Sequence, residues 1–186
     1  INASFNYNTR TKFVCIRGGN VLGTNGSVIP LFKKQIKDNN EITITDPAMT
    51  RYLMTTKEAI GLVFEAIERA HGGEIFVMRM DAIKVDEIAN AMIDLFGSKS
   101  TKKKIIGSRP GEKMDEVLVS RYEAPFTRVL NNKYYVVLPQ KKNIELETVY
   151  SEYPKMDTTE FNSKNAGQLD SEGLLIKLKN EKWLMK

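Results

Sequence analysis

Three polar islands carry the residues whose types and spacing could do chemistry. The first runs Arg17-Gly-Gly-Asn-Val-Leu-Gly-Thr-Asn-Gly-Ser-Val-Ile-Pro30 and follows an apolar segment, Lys12 to Ile16. Gly19, Gly23 and Gly26 let the backbone approach a bound group closely, and Asn20 sets an amide where the strand ends. The second island is Thr43-Ile-Thr-Asp-Pro-Ala-Met-Thr-Arg51 and the third is Arg109-Pro-Gly-Glu-Lys113. Each places an arginine in a loop beside a turn-forming proline. A guanidinium offers paired donors to phosphate oxygens, so the set suits an anionic ligand such as a diphosphate.

The elements that must position these islands read as alternating strands and helices. Lys12 to Ile16 is a strand, and Val28 to Ile36 a short helix entered through Pro30. Glu41 to Ile44 alternates apolar and polar residues and predicts a strand. Thr55-Thr-Lys-Glu58 has the form of a capping box. It opens a helix whose apolar face is Ala59, Ile60, Val63, Phe64 and Ile67, ended by Gly72-Gly73. Glu74 to Met78 predicts a strand, and Val85, Ile88, Ala89, Met92, Ile93 and Phe96 mark a second amphipathic helix stopped by Gly97. Lys104 to Ile106 is a further strand, Asp115 to Val119 a short helix, and Arg128 to Leu138 a hairpin turning at Asn131-Asn132. From Gln140 to Lys164 the pattern weakens into a polar tail. A last helix, Ser171 to Leu178, packs through Leu174, Leu175 and Leu178, with Trp183 beyond it. The alternation is that of an α/β protein. The length suits one domain with an appendage or two small units within residues 1–139, with 140–186 as a tail and final helix.

Composition narrows the function. The 186 residues are 41% hydrophobic, enough for a sizeable core. No segment approaches the roughly 20 apolar residues that span a bilayer. The chain begins at Ile1 without a basic region or an apolar signal core, and the absence of a starting methionine suggests a piece of something longer. Cys15, the single cysteine, permits no internal disulfide, fits a reducing compartment and reads as a small buried hydrophobe. The net charge of +5 comes from dispersed lysines, among them Lys33-Lys34, Lys102-Lys103-Lys104 and Lys141-Lys142, with no basic stripe or stacking aromatics at regular intervals. This is a solvated surface rather than a nucleic-acid footprint. His71, the single histidine, sits at a helix end, and one histidine with one cysteine does not make a transition-metal site.

Five runs together resemble a known family: Arg17-Gly-Gly-Asn-Val-Leu-Gly, Gly26-Ser-Val-Ile-Pro-Leu-Phe32, Ile44-Thr-Asp-Pro-Ala-Met-Thr-Arg51, Gly73-Glu-Ile-Phe76 and Arg109-Pro-Gly-Glu-Lys113. They resemble the C-terminal half of the CapD-type polysaccharide-biosynthesis proteins, within the extended short-chain dehydrogenase/reductases. That family contains UDP-N-acetylglucosamine 4,6-dehydratases, including the inverting type, and related 4-epimerases. The likeness runs from about Lys12 to Ser120 and resumes weakly at Phe161-Asn-Ser-Lys-Asn165. It implies the C-terminal part of a Rossmann-type fold whose end is interleaved with the small substrate-binding domain over residues 1–139, and a UDP-N-acetylhexosamine substrate. By resemblance, Asn20 holds the substrate near its diphosphate, while Val21, Leu22, Gly23, Thr24 and Asn25 lie against the nicotinamide end of NAD or NADP. Pro30 and Thr43 wall the nucleotide, Arg51 lies close to the diphosphate, and Arg109 and Glu112 meet a phosphate and the ribose hydroxyls. A carboxylate accepting from sugar hydroxyls is sound chemistry.

Two departures qualify the resemblance. Gly18 stands where the family usually has tyrosine, and the family's glycine-rich phosphate fingerprint and Tyr-x-x-x-Lys pair are not found in this chain. Tyr150-Ser-Glu-Tyr-Pro-Lys155 has the wrong spacing, with Pro154 breaking any helix. The implied enzyme oxidises the sugar at C4, eliminates water across C5 and C6, and returns the hydride. Its catalytic groups belong to a missing N-terminal half. The expectation is therefore a cytoplasmic, homo-oligomeric enzyme of which this chain supplies the substrate grip and no catalytic residue. A stand-alone UDP-sugar-binding module, or a non-catalytic remnant of a split gene, is the alternative.

Overall fold

The computed structural model describes residues 11–141 and 143–181. Lys142 and Trp183, singled out above, lie outside them. In chain order the strands are β1 (Cys15–Arg17), β2 (Asn20–Val21), β3 (Glu41–Ile44), β4 (Thr50–Met54), β5 (Ile75–Met78), β6 (Ala82–Lys84), β7 (Lys102–Ile105), β8 (Val117–Val119), β9 (Thr127–Val129), β10 (Tyr134–Val137), β11 (Phe161–Asn162) and β12 (Gln168–Leu169). The helices are α1 (Val28–Asn39), α2 (Thr56–Arg69), α3 (Val85–Phe96), α4 (Ile144–Val149) and α5 (Ser171–Asn180). They sort into two compact units interleaved along the chain.

The first unit takes the described residues through Gly19, Lys57–Met80 and Val117–Asn162. Its sheet has the order β1-β5-β10-β9, with β1 parallel to β5 and the β9–β10 hairpin antiparallel. That hairpin turns at Asn131, whose side-chain carbonyl accepts from the N–H groups of Lys133 and Tyr134. β10 is buried along its whole length, as the apolar run Tyr-Tyr-Val-Val of a covered strand requires. Glu74, wholly buried, accepts from the backbone N–H groups of His71 and Gly72, each at 2.7 Å, and from the Tyr150 hydroxyl at 3.1 Å. It thereby ties the turn after α2 to α4. The phenol of Tyr150 is pushed up, by burial first and then by the Glu74 charge. Arg17, first residue of the glycine-rich island, forks onto Glu123 at 3.0 and 3.1 Å and also donates to the Leu118 carbonyl at 2.7 Å. Its role is structural.

The second unit takes Asn20–Thr56, Asp81–Glu116 and Ser163 onward. One sheet runs β12-β6-β4-β2, with β2 parallel to β4, and β3 pairs in parallel with β7 over four residues. Helices α1, α3 and α5 supply a core of Ile29, Phe32, Ile36, Ile88, Met92, Leu174 and Leu178 against Ile42, Ile44 and Leu53. Each such side chain contributes roughly 1.5–3 kcal/mol on burial. Helix α1 has Pro30 in its first turn, where the missing N–H costs nothing, and ends at Asn40 in the left-handed conformation (φ 50°). β7 is exposed throughout, and Lys103 pairs with Asp86 at 2.7 Å. Lysines along a strand edge discourage pairing with another chain.

The structure departs from the sequence reading in four places. Asp115 to Val119 is not helical: Val117–Val119 forms β8, paired antiparallel with β11. Five residues offer too few helical hydrogen bonds to offset nucleation, and the β-branched Val117 and Val119 favour a strand once a partner is present. The tail from Gln140 to Lys164 contains α4, capped by Asn143, whose side chain accepts from Leu146 N–H. Cys15 is exposed, because β1 is an edge strand whose one neighbour among the described residues is β5. Helix α2 buries Leu62 and Ala66, leaving the apolar residues Ile60, Val63, Phe64 and Ile67 exposed, the last two at 65% and 70%.

The Arg17–Glu123 pair sets a pH response. Burial opposes ionisation of Glu123, but donors from Arg17 and from the N–H and hydroxyl of Ser120 outweigh it and hold the carboxyl down at about 2, from an ordinary 4.5. A carboxyl lowered in the folded state stabilises fully above its unfolded value, and the contribution is lost as pH falls through the folded one. Thermal unfolding followed from pH 5 to pH 2 should therefore show a falling Tm, and E123Q should be less stable at pH 5 with a flatter profile.

Candidate functional site

A cleft of about 390 Å³ opens within the second unit, lined from four segments of the chain. Its apolar wall comes from α1 (Val28, Ile29, Phe32), from Ile44 and Met49, and from Val85 and Ile88 of α3. Its polar end carries Asn20, Thr43, Arg51, Arg109, Glu112 and Glu116. An apolar cavity with a few convergent polar groups is the usual form of a small-molecule site.

Asn20 is exposed on the two-residue strand β2, and its side-chain amide donates to Glu116 Oε1 at 3.0 Å. Thr43 on β3 is held by Gln35 of α1: the Gln35 amide donates to the Thr43 hydroxyl at 2.6 Å, and its carbonyl accepts from Thr43 N–H at 3.1 Å. Arg51 on β4 is anchored from behind. Its Nη1 donates to the carbonyls of Thr50 (2.7 Å) and Met114 (3.2 Å), and its Nε stands 3.9 Å from Glu116. Arg109 and Glu112 belong to one tight turn. Glu112 N–H donates to the Arg109 carbonyl, the Glu112 carboxylate accepts from Arg109 N–H, and Gly111 takes φ 87°. A positive φ two residues after Arg109 suits glycine alone at no steric cost. The Arg109 guanidinium has no partner among the described residues, so its full set of donors is available.

Of the eleven residues proposed from the sequence, eight line this cleft: Asn20, Val21, Leu22, Thr24, Thr43, Arg51, Arg109 and Glu112. Gly23, Asn25 and Pro30 are not among its lining residues. Leu22 is 2% exposed and belongs to the core, whereas Thr24 and Asn25 are exposed in a turn where Thr24 Oγ1 donates to the Val21 carbonyl. Gly23 and Gly26 take φ 75° and 78° there, and open space surrounds the position a Cβ would take at Gly26. Sequence reasoning passed over Glu116 and Gln35. Neither has a local motif, because each acts on a residue from another segment. Among the described residues no cluster of histidine, cysteine and carboxylates could hold a metal ion, and no helix is long and apolar enough to cross a membrane.

Residues 1–138 match the family described as polysaccharide biosynthesis protein. The chain belongs to that family. It is 38% identical over 181 residues to a UDP-glucose 4-epimerase of Rickettsia bellii (strain OSU 85-389), covering 95% of this chain and 52% of that protein. It is 37% identical over 145 residues to a UDP-N-acetylglucosamine 4,6-dehydratase (inverting) of Campylobacter jejuni, covering 77% of this chain and 42% of the relative. Among solved structures it is similar to Pen from Bacillus thuringiensis, with a TM-score of 0.79 and 33% identity over 93% of this chain and 50% of that one. The chain thus spans about half the length of these relatives. The α/β fold expected for the C-terminal part of an extended short-chain dehydrogenase/reductase is the fold this family member has.

The Gln35 clamp gives this site a testable support. Q35A leaves the part-buried Thr43 hydroxyl and N–H without that partner, which costs about 1–3 kcal/mol. Urea denaturation should show a loss of this size with an unchanged m-value.

Proposed function

We propose that this chain is the nucleotide-sugar-binding part of an NAD(P)-dependent UDP-N-acetylhexosamine 4,6-dehydratase or 4-epimerase of polysaccharide biosynthesis. The observation that carries the reading is the convergence of Asn20, Thr43, Arg51, Arg109 and Glu112 on one cleft beside an apolar wall. The relatives' names point the same way, since both are enzymes of UDP-sugars. Arg109, with its unpartnered guanidinium, takes the diphosphate together with Arg51. The Glu112 carboxylate accepts from ribose hydroxyls, Thr43 and the apolar wall flank the nucleotide, and Asn20 contacts the substrate near the diphosphate.

The exposed turn at Gly23, Thr24 and Asn25 fits the edge of a nicotinamide site, with left-handed glycines that keep side chains out of the way. The cofactor, when bound, supplies reversible hydride acceptance. This chain's residues bind and orient the sugar nucleotide. The remaining half of such an enzyme covers the open edge of β1 and the α2 stripe of Ile60, Val63, Phe64 and Ile67, because an open strand edge and an exposed apolar helix face are what a further strand and helix would bury. The complete enzyme is a homo-oligomer working in the cytoplasm.

Isothermal titration is the test. The chain should bind UDP, and R109A should weaken UDP about tenfold or more while leaving uridine within about twofold, as loss of charge-assisted hydrogen bonds to phosphate requires. Absence of UDP binding by the wild type would refute the reading. Supplied with UDP-N-acetylglucosamine and NAD(P), the chain alone should give no turnover, because no Tyr-x-x-x-Lys pair occurs in its sequence. A dehydrated or epimerised product from it would overturn the division of labour.

A further inference from the structure

The polar end of the cleft is organised by two residues that the functional reading does not use. Ser163, wholly buried, clamps the backbone of Glu116 from both sides: Glu116 N–H donates to Ser163 Oγ and Ser163 N–H donates to the Glu116 carbonyl, each at 2.8 Å. Ser163 Oγ also lies 2.6 Å from Thr50 Oγ1, which lies 2.7 Å from Asp115 Oδ1. The direction of this chain of bonds follows from valence. A carboxylate only accepts, so Thr50 gives its single hydroxyl hydrogen to Asp115, Ser163 gives its own to Thr50, and a Ser163 lone pair receives Glu116 N–H.

The Glu116 carboxylate then decides the state of the cleft. Oε2 accepts from Tyr52 N–H on β4 at 3.0 Å, and Oε1 accepts from the Asn20 amide on β2 at 3.0 Å. Because neither oxygen can donate, the Asn20 side chain must present its NH2 group to Glu116. One N–H and the amide oxygen of Asn20 are left for a ligand. Asn20 is exposed and sits on a strand of only two residues, and this bond is the one that holds its side chain among the described residues. The same carboxylate stands 3.9 Å from Arg51 Nε.

We propose that Ser163 and Glu116 are positioning residues for this cleft, Ser163 fixing Glu116 and Glu116 fixing the amide of Asn20. The segment Phe161-Asn-Ser-Lys-Asn165 thereby gains a role at the ligand site without touching the ligand. The proposal rests on the nucleotide-sugar reading for the identity of that ligand, but not for the relay itself. Its test begins without ligand. In 15N–1H spectra, the side-chain NH2 signals of Asn20 should move in both S163A and E116Q, while those of Gln35, bonded to Thr43 in the same unit, should keep their positions. Unmoved Asn20 signals in a folded variant overturn the relay. Two variants are used so that a folding failure in one leaves the other to decide. Calorimetry then reads the consequence: UDP affinity should fall about tenfold in E116Q with uridine within about twofold. Wild-type UDP affinity retained in E116Q overturns the positioning role. Moved Asn20 signals with no UDP binding by the wild type support the relay and refute the nucleotide reading instead.

Discussion

The constraint on which this structure depends is the need of turn and strand-end N–H groups for acceptors. With few long elements to absorb them, the chain uses carboxylates. Glu74 accepts from His71 and Gly72, Glu112 from Arg109, Glu116 from Tyr52, Glu123 from Ser120, and Asp170 from Gly173 at the start of α5. A charged acceptor makes a stronger bond than a neutral one, and an unmet buried N–H costs about as much as the bond is worth. The loops of the cleft are therefore held by side chains rather than by long ladders.

This use of carboxylates changes which arginines are free to meet an anion. Arg17 spends its donors on Glu123 and on the Leu118 carbonyl. Arg51 directs Nη1 at two backbone carbonyls and Nη2 at Met49 Sδ (3.3 Å), and its Nε stands 3.9 Å from Glu116, so only part of its donor set remains for the cleft that it lines. Arg109 alone of the three keeps all its donors, because Glu112 binds the Arg109 backbone and not its side chain. The three arginines of the polar islands thus acquire three different jobs. The difference lies in their partners and not in their own chemistry.

The unpartnered surface of the first unit has a related origin. Helix α2 has two apolar faces, one of which packs through Leu62 and Ala66 while the other remains in solvent. Exposed contiguous apolar side chains mark surfaces that meet something else. The open edge of β1 belongs to the same unit, and the chain spans about half of the relatives it matches.

Much of the fold was legible in the sequence where the signal is local. The period of α3, bounded by Val85 and Phe96, and the alternation of β3, Glu41 to Ile44, were read residue for residue, because each repeats over a full element. The β9–β10 hairpin was equally plain from Asn131-Asn132 between two apolar runs. The short pieces were not: β2, β4, β6 and β8 depend on partners distant in sequence, and β8 was read as helix until β11 is seen beside it. The exposure of Cys15 and of one face of α2 likewise depends on which neighbours are present, which periodicity does not state.

By itself the sequence determined the α/β character, the glycine turns and the polar types that line the cleft: the amide of Asn20, the guanidinium of Arg109, the carboxylate of Glu112. These are properties of single residues and of near neighbours. Only the tertiary structure decided that eight of the proposed residues share one cleft, that Gly23, Asn25 and Pro30 stand outside its lining, and that Glu116 and Ser163 hold its polar end. The physical reason is that a hydrogen bond between residues 47 or 96 positions apart leaves no mark on the spacing of either. Valence then settles the orientation once the fold has brought the atoms together.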